Sequence, residues 1–137
     1  MDENEIVDAV CAHLERTGFR VTQKLSTVQQ GVDIIAAHPS SGRRLLIEAK
    51  GGTSSREGSN RFGKPYTQSQ VFDRCGKGVF TALKLRAQEP AHTTTTVLAT
   101  PDSRWFRSYL GDVAPLLRPL GIEVWVVSEA GVVSELT

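Results

Sequence analysis

Hydrophobic positions follow two rhythms along this chain. Ile6, Val7, Val10 and Leu14 recur at three- and four-residue spacing, so they share a face and predict a helix over residues 5–17. Asp2 followed by Glu5 fits a capping box at its start, and Gly18 a stop. Phe19 to Leu25 alternates apolar and polar residues, the period of a half-buried strand. Two apolar runs follow: Gly31 to Ala37, broken by Asp33, and Leu45 to Lys50, charged only at its end. The turn residues Pro39, Ser40, Ser41 and Gly42 between them predict a hairpin. Residues 51–66 have no period and read as a long loop. From Thr67 to Ala87, Val71, Cys75, Val79, Ala82, Leu83 and Leu85 predict a second helix. Gly76 and Gly78 interrupt it at a cost in helix propensity, which close packing against a sheet would justify.

Thr94 to Thr100 reads as a β-branched strand, and Pro101 as the opening of a third helix with Phe106, Tyr109, Leu110 and Val113 on one face. Ile122 to Val127 and Val132 to Leu136 read as strands. The class is therefore α/β: a mixed sheet flanked by helices, with an αβββαβ core plus a C-terminal helix and strand. Strands that alternate with helices imply right-handed crossovers and parallel pairing in the later part. At 137 residues, one domain over 1–137 is expected.

Composition narrows the class of function. No apolar run approaches the roughly 20 residues of a membrane span, so no membrane partner is expected. The acidic N-terminus carries no signal-peptide pattern. Two cysteines without a CxxC pair exclude a disulfide scaffold or a cysteine-rich zinc site and suit a cytoplasmic protein. Net charge is only +1, but it is unevenly spread: residues 1–17 carry −4, residues 90–137 carry −2, and the middle is basic. A local basic surface of this kind suits a phosphate backbone, and equally an ordinary solvated face.

Asp33, Glu48 and Lys50 carry the chemistry. Each lies in or beside an apolar strand run, where a charge is costly unless paired or bound to a metal. Fifteen positions separate Asp33 from Glu48, enough for two adjacent antiparallel strands and a turn. Glu48 and Lys50 are two apart and so share a strand face. Two carboxylates of this kind suit Mg²⁺, with Mn²⁺ able to substitute, and a lysine beside them suits developing negative charge. A buried ion pair between Lys50 and either acid is the competing reading.

Gly31-Val32-Asp33-Ile34-Ile35 followed by Ile47-Glu48-Ala49-Lys50-Gly51 resembles the core motif of the PD-(D/E)XK nuclease superfamily, in its Holliday-junction resolvase and Mrr-type restriction endonuclease branch. The resemblance covers residues 3–100 and includes the order of elements. Val32 departs from it, standing where the motif's name has Pro. The resemblance implies a restriction-endonuclease-like fold and a metal-dependent nuclease that hydrolyses DNA phosphodiester bonds as an endonuclease. It implies that Asp33, Glu48 and the Ala49 backbone carbonyl bind Mg²⁺ and that Lys50 assists hydrolysis. Some members add an acid from the first helix; Glu5 is the candidate, and capping is its other explanation. Gln70, early in the second helix, is expected to orient the site.

Arg56, Arg61, Lys64 and Tyr66 in the loop, with Arg74 and Lys77 beyond it, are candidates for nucleic-acid contact. A chain this small is expected to rely on substrate shape, a homodimer or a larger-complex partner. Two other readings stay open: a non-catalytic nucleic-acid-binding module of the same fold, and a protein-interaction subunit that assembles through the third helix.

Overall fold

A computed structural model describes residues 1–26, 29–54, 63–89 and 92–137. Along the chain run α1 (Glu3–Arg16), β1 (Arg20–Lys24), β2 (Ile34–Ala37), β3 (Arg44–Ala49), α2 (Gln68–Gln88), β4 (Thr94–Pro101), α3 (Arg104–Leu117), a 3₁₀ turn (Arg118–Leu120), β5 (Ile122–Val127) and β6 (Val133–Glu135). The six strands form one mixed sheet in chain order. β1–β2, β2–β3 and β5–β6 pair antiparallel, and β3–β4 and β4–β5 pair parallel.

Strand alternation sends side chains to two cores. Ile34, Ala36, Leu45, Ile47, Ala49, Val97 and Ala99 pack with Ile6, Val7, Val10 and Leu14 of α1. Leu98, Ile122, Val124 and Val126 pack with Val71, Cys75 and Ala82 of α2 and with Phe106 and Leu110 of α3. Helices therefore cover both faces. Two crossovers of one hand, progressing in one direction along the sheet, place α2 and α3 on the same side. Both cysteines are buried and free. Among the described residues, no helix is long and apolar enough to cross a membrane.

Three local expectations change. Pro101 does not open a helix: it ends β4, paired with Val127, where its missing N–H is tolerated at a strand terminus. The helix begins three residues later, after Ser103. The buried face of α3 runs Phe106, Leu110, Ala114 and Leu117, leaving Tyr109 and Val113 half-buried at its edge. Leu83 of α2 points outward, while Gly78 takes a buried place.

Gly78 shows why glycine is needed within this helix. A Cβ there would lie 2.8 Å from Leu98 Cδ1 and 3.4 Å from Lys50 Cγ, so its absence lets α2 close on the sheet beside Lys50. Gly76 has no such neighbour among the described residues. The far end of α2 is clipped by Arg86, whose guanidinium donates to the carbonyl oxygens of Leu120 (2.8 Å), Glu89 (2.9 Å) and Thr94 (3.2 Å). Replacing Arg86 with Met keeps much of the stem and strands those acceptors. The expected cost is about 1–3 kcal/mol in a denaturant melt. A melt unchanged from wild type would show that the clip contributes nothing.

Candidate active site

The site forms at the end of the β2–β3 hairpin, at the carboxyl end of β3. The β2–β3 register pairs Ile34 with Ile47, and one step further along it stand Asp33 and Glu48. Both therefore point to the sheet face covered by α2, opposite that of Ile34 and Ile47. Asp33 is fixed by its neighbours on either side. Its backbone carbonyl accepts from the Leu25 N–H at 2.8 Å, and its Oδ2 accepts from the Ala49 N–H at 2.8 Å. The Ala49 carbonyl leaves β3 on the same side as that N–H, toward Asp33. Lys50 turns its own N–H the other way, to Ala99 of β4, at 2.9 Å.

Lys50 Nζ lies 3.1 Å from Glu48 Oε1, with both side chains only 13% and 12% exposed. The ion pair is nearly withdrawn from water, so its charges are screened little. Burial raises the Asp33 carboxyl above its ordinary range, against the Ala49 N–H, a hydrogen bond with Glu48 and the charge of Lys50. Glu48 is pushed up to about 7, by burial first and then by Asp33, against the opposing pull of Lys50. Burial therefore makes both carboxyls of the metal-free pair hold their protons to higher pH than exposed acids would.

A third acid joins this field, and it is Glu3, not Glu5. Glu5 is exposed and closes the capping box: its N–H donates to Asp2 Oδ1 at 2.9 Å and its Oε1 faces the Asp2 N–H at 3.5 Å. The Glu3 carboxyl is raised by burial and then by Asp33, with Lys50 and Arg74 pulling the other way. The sequence carried a signal for this. Glu3 lies in helical phase with Val7, Val10 and Leu14, the residues that face the sheet, and Glu5 does not. Gly51 makes the approach possible, because a Cβ there would stand 2.4 Å from the Glu3 backbone nitrogen.

From α2, positions 70, 74 and 78 form one stripe toward the end of β3. Arg74 donates from Nη2 to the Tyr66 hydroxyl at 2.6 Å, and its guanidinium carbon lies 4.9 Å from the Tyr66 ring centre. Arg74 thus belongs to the surroundings of the carboxylates, more than to a remote basic tract. Gln70 is engaged at the helix start, its Oε1 accepting from the Thr67 N–H at 2.9 Å. Gln68 turns toward α3 and donates to the Tyr109 hydroxyl at 2.9 Å. Lys64 and Lys77 are exposed. Arg56 and Arg61 lie outside the described residues.

No family model, curated protein or solved structure matches this chain.

The donor set itself bears on a metal. Among the described residues no group of three or more His, Cys, Asp and Glu side chains is arranged to hold an ion. Two carboxylates and a backbone carbonyl are nevertheless the hard oxygen donors that Mg²⁺ takes, with water completing its shell. Burial is the first cause that raises Glu3, Asp33 and Glu48, and neighbouring carboxylates add to it at Glu3 and Glu48. A divalent cation would offset that like charge.

Proposed function

We propose that this chain is a metal-dependent nuclease domain of restriction-endonuclease-like fold that hydrolyses DNA phosphodiester bonds as an endonuclease. The observation that carries the reading is the convergence of Asp33 and Glu48, both raised in pKa, with Lys50 Nζ 3.1 Å from Glu48. Asp33, Glu48 and the Ala49 carbonyl would hold Mg²⁺, or Mn²⁺ in its place. The bound ion supplies a more acidic water and polarises the scissile phosphate. Lys50 then offers a positive charge to the negative charge that develops on the phosphate. Arg74, braced by Tyr66, stands on the α2 side of the site with a guanidinium suited to a phosphate oxygen. Lys64 and Lys77 add exposed positive charge, and Arg56 and Arg61 belong to the same proposed DNA contact.

A second reading has its own observation. The Lys50–Glu48 ion pair is the arrangement of a structural pair in a fold that grips nucleic acid without cutting it. Labelled linear duplex, single strand, nicked circle and four-way junction DNAs separate the two. With Mg²⁺ or Mn²⁺ at least one is cut, chelator abolishes cutting, and Lys50→Ala lowers the rate by about 100-fold or more. Absence of cutting, with salt-dependent binding equal in both proteins, would overturn the nuclease and leave the binding module.

A further inference from the structure

Phe72, Phe80 and Leu83, at 60%, 64% and 38% exposed, lie on the outer side of α2 and border a groove of about 390 Å³ against α3. With Ser69, Gly76 and Ala87 they occupy a stripe within about 80° of arc on a helix about 30 Å long, and all six are exposed. Gly76 sits at its centre. Among the described residues nothing lies within 4 Å of a Cβ placed there, so none of them requires glycine at this position. It costs the helix about 1 kcal/mol relative to Ala. A small residue in the middle of an exposed apolar stripe makes room for something outside the chain.

We infer that this stripe is a homodimer interface in which α2 packs antiparallel on α2 of a second copy. The pattern is complementary to itself. With a two-fold axis at the level of residue 78, Phe80 lies over Gly76 of the second copy, Phe72 meets Leu83, and Ser69 meets Ala87. Each pair occurs twice, as an isologous contact demands. Charge follows the same register: exposed Asp73 on the flank of the stripe comes opposite Lys84 of the second copy.

Area is consistent with this occupant. Leu116 of α3, in helical phase with Tyr109 and Val113 of the groove, and Leu120, whose carbonyl accepts from Arg86 of α2, are 72% and 53% exposed and add apolar surface. The five large side chains expose on the order of 500 Å² together, the apolar centre of an interface that needs about 800 Å² per partner. The stripe is on the side of α2 away from Gln70, Arg74 and Gly78, so association leaves the carboxylate site uncovered. The inference does not depend on the nuclease reading.

Sedimentation velocity of the full chain over a concentration series tests it. Wild type is expected to shift from monomer to dimer. Phe80→Lys, at an exposed position, raises the dissociation constant more than about tenfold with an unchanged circular dichroism spectrum. Gly76→Ala weakens the dimer while raising the melting temperature of dilute monomer, two effects of opposite sign. Asp73→Lys weakens association, and adding Lys84→Asp restores it. A chain monomeric at every concentration, or a dimer indifferent to Phe80→Lys, would overturn the inference and give the stripe to a different protein or association to a different face.

Discussion

Replacing Glu48 with Gln is expected to raise the stability of the metal-free protein at pH 8 and to remove its response to divalent cations. The two effects have one cause. Glu48 is raised from 4.5 to about 7 in the fold, by burial and by Asp33. A group whose folded pKa lies above its unfolded value contributes stability that is full below the unfolded pKa. That contribution is lost as pH rises through the folded one. Melting temperature of the metal-free protein should therefore fall between about pH 4.5 and pH 8 on account of this pair. The shift corresponds to at most about 3 kcal/mol. Gln keeps the shape without the charge, and the value of about 7 already contains the pull of Lys50. The gain at pH 8 is on the order of 10 °C, and at pH 5, where Glu48 is already protonated, little changes. Thermal melts at the two pH values check this. A Glu48→Gln variant that unfolds at both would make the acid a structural partner of Lys50.

Gly51→Ala is expected to be the most damaging single methyl group near the site. Its Cβ would meet the Glu3 nitrogen at 2.4 Å and the Asp2 carbonyl carbon at 2.7 Å, atoms of backbone that cannot rotate away. The neighbouring Gly52 and Thr53 N–H groups donate to the Met1 carbonyl at 2.8 and 3.2 Å, tying the end of β3 to the start of α1. Relief of the clash pushes these segments apart, loosening those bonds and drawing Glu3 away from Asp33. Overpacking of this kind costs about 3 kcal/mol, or on the order of 10 °C in melting temperature. A melt within a degree or two of wild type would show that α1 shifts without cost and that its start is not fixed against the site.

The parts of the fold that rest on periodicity were legible in the sequence. The apolar face of α1, the β2–β3 hairpin, the parallel pairing of β3, β4 and β5, and the limits of β5 follow from spacing and turn residues alone. Where the sequence misled, a local signal met a tertiary one. Pro101 is a sound helix opener in isolation, but the fully buried run of β4 carries the ladder through it. Leu83 fits the helical period of α2, yet the sheet takes Gly78 on its inner face and leaves Leu83 on the outer.

The candidate site divides in the same way. Asp33, Glu48 and Lys50 converge because strand register is regular enough to be counted. The capping signal at Glu5 masks Glu3 along the chain, although the phase of Glu3 with Val7 and Val10 marks it as the acid that faces the sheet. Arg74 reads along the chain as one more basic residue. Only the packing of α2 over Lys50 brings it to the carboxylates. Of the outward stripe of α2 only Leu83 falls within the apolar period of Val71, Cys75, Val79, Ala82 and Leu85; Phe72 and Phe80 join it only once the packing of α2 on the sheet shows which side faces out.

Mn²⁺ binding at neutral pH, followed by electron paramagnetic resonance on wild type, Asp33→Asn and Glu48→Gln, tests the central claim most directly, because it reads the carboxylate pair without needing the right DNA. Wild type is expected to take up the ion, and each variant, folded by circular dichroism, to lose that uptake. Wild type that binds no ion, or variants that bind as well as it does, would contradict the account and leave Asp33, Glu48 and Lys50 as a buried ion-pair network that holds the hairpin.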